Sequence, residues 1–175
     1  VTFAPDHLGT ENAIKASGLP YTILRDAWYF DNFMMSLPHN LEGGKWYTAT
    51  KSGKVPYITR EDCALAIAAA LVGKPENKTY TLTGSTSYSI ADVASAVTAI
   101  TGRPLEVVDV TDEQLSAGMT GAGLPSFVVD MLVSADANIR AGNFDSLSGD
   151  FTTLTGKEPQ TLRKFIEDRK AALTA

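Results

Sequence analysis

Histidine and cysteine are nearly absent from this sequence: there are two histidines, His7 and His39, and one cysteine, Cys63. That leaves too few donors for a metal site of the usual histidine and cysteine kind. The single thiol has no partner for an internal disulfide, which fits a reducing cytoplasm and makes the cytoplasm the expected location. Cys63 lies in R-E-D-C-A-L-A-I-A-A-A-L among small residues, where a buried small hydrophobe is expected rather than a nucleophile. The familiar chemical signatures are missing as well. There is no G-x-G-x-x-G, no phosphate-binding G-x-x-x-x-G-K-[ST], no C-x-x-C, no H-E-x-x-H and no G-x-S-x-G. There is no basic stripe either. With a net charge of −5, nucleic acid is not an expected partner. No apolar run reaches the length of a membrane span, and no signal-peptide pattern opens the chain at Val1, so no membrane partner is expected.

What is present is an ordinary globular composition, 44% hydrophobic and 20% charged over 175 residues, enough for one proper core. Pro5 and Asp6 can open a helix that Gly18 and Pro20 stop, and Y-T-I-L-R (21–25) reads as a strand. A helical turn or two follows over 30–37. The extended pieces 45–50 and 55–59, joined by the turn signal S-G-K, read as an irregular hairpin, with Pro56 marking an edge or non-pairing position. Thr59, Ser89 and Thr111 are natural caps for helices beginning at 60, 90 and 112. Strands are expected at 78–83 and 105–110, a helix at 127–141 and a capped helical segment at the C-terminus. Strands alternating with helices predict an α/β fold.

The stretch Y-T-I-L-R-D-A-W-Y-F-D-N-F carries the functional question. Arg25 and Asp26 end the strand, and in open α/β sheets ligands bind outside the carboxyl ends of strands. Trp28 and Tyr29 follow at once. They are either core between strand and neighbouring elements or the wall of a pocket. His7 and Glu11 are four apart and share a helix face. Arg60 opens a helix where its charge opposes the dipole, so a surface salt bridge to Glu61 or Asp62 is expected.

Several ordered blocks of this sequence carry a family resemblance. They are D-H-L-G-T-E-N-A-I-K-A-S-G-L-P-Y-T-I-L-R-D-A-W-Y-F-D-N-F (6–33), G-K-V-P-Y-I-T-R-E-D (53–62), N-K-T-Y-T-L-T-G (77–84), T-G-R-P (101–104) and G-L-P-S-F-V-V-D-M-L (123–132). The sequence resembles the NmrA-like atypical short-chain dehydrogenases, in particular the bacterial NAD(P)H:quinone oxidoreductases of the type 2 kind and the triphenylmethane reductases. The resemblance spans nearly the whole chain. The family's opening glycine turn, T-G-A-T-G-x-L-G, has no counterpart here, so the chain is expected to be the C-terminal portion of such a protein. The implied fold is the late parallel strands of a Rossmann-type NAD(P)-binding domain, in segments 1–37 and 55–84. A small mixed α/β substrate domain would be drawn mainly from 38–54 and 85–175.

The resemblance implies an NAD(P)H-dependent oxidoreductase that reduces a quinone or similar aromatic acceptor by hydride transfer, with NADPH favoured over NADH. The alternative it leaves open is a dinucleotide-binding regulator without turnover. Cofactor contacts are implied for Arg25, Asp26, Ala27, Trp28, Tyr29, Phe30, Asp31 and Tyr57, and acceptor contacts for Trp28, Tyr29 and Met34. His7 and Glu11 stand where ordinary short-chain dehydrogenases place Tyr-x-x-x-Lys. His7 is therefore the candidate proton donor, water being the other source, and Glu11 is expected only to solvate its helix. A parallel edge strand at 21–25 without its neighbour should leave the chain marginal, aggregating or paired as a homodimer.

Overall fold

The computed structural model describes residues 1–174. Its first helix, α1 (Ala4–Ala16), buries none of its residues and ends before Gly18, whose φ of +72° makes the turn toward the first strand. Strand β1 (Thr22–Asp26) pairs in parallel with β3 (Lys78–Leu82), Thr22 facing Lys78 and Asp26 facing Leu82. A second parallel pair joins β2 (Lys45–Thr48) to β4 (Glu106–Asp109). Parallel pairing needs long crossovers, and here the crossovers of the two pairs interleave.

The expected hairpin over 45–59 does not form. β2 turns away to β4, and the segment after it makes only single bridges, Val55 to Tyr88 and Tyr29 to Ile58. Pro56 has no N–H to give to a ladder, and the segment is spent crossing between the two sheets rather than extending either. Gly84 makes that crossing feasible: its N–H donates to the Pro56 carbonyl at 3.1 Å, and a Cβ there would run into the carbonyl oxygen of Tyr57.

Helices cover both pairs. After β1 comes a 3-10 helix (Phe30–Met35) and then α2 (Leu37–Gly43). Helix α3 (Arg60–Val72) precedes β3, and α4 (Ile90–Thr101) precedes β4. The chain continues through α5 (Asp112–Gly121), α6 (Ser126–Arg140), α7 (Asp150–Thr155) and α8 (Leu162–Thr174). The three caps form as the sequence indicates. Thr59 accepts from the Asp62 N–H, and Ser89 with Asp92 and Thr111 with Gln114 close full capping boxes. Such caps contribute about 1 kcal/mol each. The C-terminal segment is two helices rather than one, broken at Gly156 with φ +68°.

Two apolar clusters hold the elements. The larger one is built on Phe30, Phe33, Leu37, Trp46, Val93, Val97, Phe165 and Ile166. Phe30 is its hub, stacked on Tyr57 at 5.5 Å and on Phe165 at 5.3 Å between ring centroids. The smaller cluster lies under the β1–β3 pair, with Ile58, Cys63, Tyr80, Leu82 and Phe151.

Candidate functional site

A cleft of about 980 Å³ opens beside β1 and runs past its carboxyl end, at the upper end of the roughly 300–1,000 Å³ range of small-molecule sites. One side is α1, with His7, Leu8 and Glu11. The floor is the end of β1 and the residues that follow it, from Arg25 to Tyr29. The far side is Pro56, Thr83 and the loop after α6, with Asn143, Phe144 and Ser146.

Trp28 lies in this cleft, and the ring of Phe144 meets it edge to face, with centroids 5.7 Å apart and planes at 77°. Two rings at that angle form an apolar corner suited to a flat conjugated ligand. The backbone beneath them is partly free. Phe30 donates to Ile58, and Ile58 donates to the Trp28 carbonyl, but among the described residues the Trp28 and Tyr29 N–H groups find no acceptor. Free main-chain donors at a strand's carboxyl end are what a planar amide ligand needs.

Tyr29 is committed locally. Its hydroxyl donates to Asp26 Oδ2 at 2.7 Å, and the Arg60 guanidinium lies 5.1 Å from its ring centroid. Burial pushes the phenol well above its ordinary range, and the Asp26 carboxylate adds to the shift. The Cys63 thiol is raised in the same way, by burial first and then by Asp26, so it is an inert core thiol.

Two expected roles change. Glu11 does more than solvate its helix. Arg25 Nε and Nη2 donate to its two carboxylate oxygens at 2.6 and 2.7 Å, and Lys15 adds a third contact at 3.1 Å. These cations hold the Glu11 carboxyl down to about 2, the Arg25 hydrogen bond being the largest cause. Arg25 is thereby occupied by a protein partner. Arg60 makes no salt bridge with Glu61 or Asp62. Its side chain caps the Tyr29 ring and donates to Asn32 Oδ1 at 3.1 Å. The Asp62 carboxylate is used instead by Thr59 and by the Gln160 N–H. The dipole conflict at Arg60 is met by Asp31, whose Oδ2 accepts the Arg60 backbone N–H at 2.9 Å.

Of the residues proposed from the sequence, His7, Arg25, Asp26, Ala27, Trp28 and Tyr29 line one cleft. The side chains of Phe30 and Tyr57 lie in the core, Met34 packs against that core, and Asp31 serves the start of α3. Phe144 was not foreseen. It sits in a stretch with no periodic pattern, and only the fold brings it to Trp28.

No family model matches the chain. Individual proteins do. Quinone oxidoreductase 2 of Escherichia coli is 30% identical over 165 residues, covering 93% of this chain and 57% of that protein. An NAD(P)H azoreductase of Xenophilus azovorans is 31% identical over 171 residues, covering 94% of this chain and 58% of its own. The crystal structure of Citrobacter sp. triphenylmethane reductase complexed with NADP(H) superposes with a TM-score of 0.89 at 29% identity, over 96% of this chain and 60% of that one. The relatives of this chain include quinone and dye reductases, agroclavine dehydrogenases and NmrA-like oxidoreductases. The chain spans a little over half the length of the relatives it matches. The α/β chain with its parallel strands matches these Rossmann-type NAD(P)-binding structures over about 60% of their length, which bears out the α/β expectation.

Proposed function

We propose that the whole protein is an NAD(P)H-dependent oxidoreductase that reduces a quinone or similar aromatic acceptor. Segments 1–37 and 55–84 would belong to the dinucleotide-binding sheet, and 38–54 with 85–175 mainly to the acceptor side. The carrying observation is the cleft past the end of β1, where the unpaired N–H groups of Trp28 and Tyr29 lie below an aromatic corner. The relatives support this reading: they include quinone, azo and triphenylmethane reductases, two of them solved with NADPH or NADP(H).

A nicotinamide suits this end of the cleft. The main-chain N–H groups of Trp28 and Tyr29 would hold its carboxamide, the Trp28 ring would wall the acceptor side beside it, and the bound dinucleotide supplies the hydride. The chain's own residues do the rest. The Glu11–Arg25 pair fastens α1 against β1 and presents His7 to the cleft. Tyr29 is a poor acid for this step, since its proton is held by Asp26 and its phenol is harder to ionise than usual. The proton that accompanies hydride addition to a quinone therefore comes from His7 or from water. An electron-poor ring needs no stronger acid.

The test is NADPH oxidation by the whole protein with a benzoquinone, a naphthoquinone and a triarylmethyl dye. Turnover with at least one of them is expected. Dinucleotide binding with no turnover across all three would overturn the enzyme reading and favour a dinucleotide-sensing regulator.

A further inference from the structure

The wall opposite α1 comes from a distant part of the chain. After α6 ends at Arg140, residues 141–149 run across the carboxyl ends of β1 and β3. The run is pinned at both ends. At its start the Gly142 and Asn143 N–H groups donate to Ile139 and Asn138 carbonyls, and Asn143 Nδ2 donates to Asn138 Oδ1 at 2.9 Å. At its end Thr83 and Ser148 exchange hydrogen bonds of 3.1 Å in both directions. Between these anchors most residues face solvent, but Phe144 turns inward to Trp28 and the large core. A segment fixed at its ends with a single ring directed into a cleft helps to set the shape of that cleft.

We infer that Phe144, held by the 141–149 strap, is a specificity-determining residue that selects flat, fused-ring acceptors over single-ring ones. This rests on the reading of the cleft as the acceptor site. A ligand lying along one ring of the Trp28–Phe144 corner abuts the other, so a second fused ring gains contact with both. A single ring can be satisfied by Trp28 alone. The extra aromatic contact is worth about a threefold to tenfold preference. The strap joins α6 to α7, outside the β1–β3 pair that supports the dinucleotide end, so cofactor affinity should not depend on Phe144.

The experiment uses Phe144→Leu, which keeps most of the volume, alongside Phe144→Ala, with thermal melts confirming that both fold. Trp28 is one of two tryptophans, so in a Trp46→Phe background its emission reports ligand binding in the chain without cofactor. Saturable quenching by 2-methyl-1,4-naphthoquinone should weaken about threefold to tenfold in both variants, with little change for 1,4-benzoquinone. In the whole protein the ratio of kcat/KM for the two quinones should fall by the same factor at unchanged NADPH affinity. Equal weakening for both quinones, a matching loss of NADPH affinity, or no saturable quenching in the parent chain would overturn the inference. Normal quinone turnover with an unchanged ratio in the variants would sink it and leave the proposed reaction standing. Phe144-dependent naphthoquinone binding without any turnover would do the opposite.

Discussion

Arg25 and Glu11 are joined by two hydrogen bonds, Nε to Oε1 at 2.6 Å and Nη2 to Oε2 at 2.7 Å, and this fork fastens α1 to the end of β1. It matters because α1 has no buried residue of its own. A carboxyl held low in the folded state stabilises above its unfolded value, and that stabilisation is lost as pH falls through the folded value. Attachment of α1 should therefore be intact at neutral pH and fail between the ordinary glutamate value of 4.5 and about 2. A carbon-13 titration of the Glu11 carboxyl should show a midpoint near 2. A midpoint at the ordinary glutamate value would rule the fork out. Glu11→Gln should speed amide exchange along α1 severalfold at pH 7 and leave α4 untouched.

Phe30 should be among the costliest single truncations. It is 1% exposed and stacked between Tyr57 and Phe165. Phe30→Ala should lower stability by about 3–5 kcal/mol in urea unfolding. A loss below about 1 kcal/mol would mean that this cluster is not the hub described above.

Asp136 gives the opposite pH signature to Glu11. Its Oδ2 accepts from the Ala49 N–H at 2.8 Å and from Thr48 Oγ1 at 3.1 Å, yet burial outweighs these bonds and raises its carboxyl above the usual 3.8. Below that value the group is neutral in both states. As pH rises through the raised value, the folded state resists ionisation and stability falls. Asp136→Asn keeps an acceptor for both donors and removes the charge. Its melting temperature relative to the parent should climb between pH 4 and pH 7, and a difference that does not vary with pH would refute this.

Cys63 should resist alkylation. It is buried and its thiol is pushed upward by burial and by Asp26. Iodoacetamide at pH 8 should label it only at the rate of unfolding, so labelling should accelerate with urea in step with the loss of structure. Fast labelling of the native chain would show the packing around β1 and α3 to be open.

The parts of this structure that could be read from the sequence are those decided within a few residues. Thr59, Ser89 and Thr111 cap because their partners lie three positions on. Helix α4 forms where its apolar stripe and capping box coincide. What could not be read depends on distant partners. The extended character of 55–59 is visible, but nothing local says that β2 prefers β4 to this segment. Glu11 looked like a solvated charge and Arg60 like one half of a local salt bridge because their partners, Arg25 and the Tyr29 ring, are set by the fold. The strand-end position of Trp28 pointed to a pocket. The identity of the opposing wall waited on the loop that carries Phe144.

The interleaving of the two parallel pairs has a kinetic consequence. The Tyr21 N–H reaches Asn77 across 56 residues at the mouth of the β1–β3 pair, and the whole of β2 lies inside that loop. Closing the first pair therefore encloses one strand of the second, and the connection that closes the second encloses β3 of the first. Such non-local wiring slows the search for the native arrangement. Each closing loop must accommodate a strand of the other sheet, so the two are expected to appear together in a single slow refolding phase.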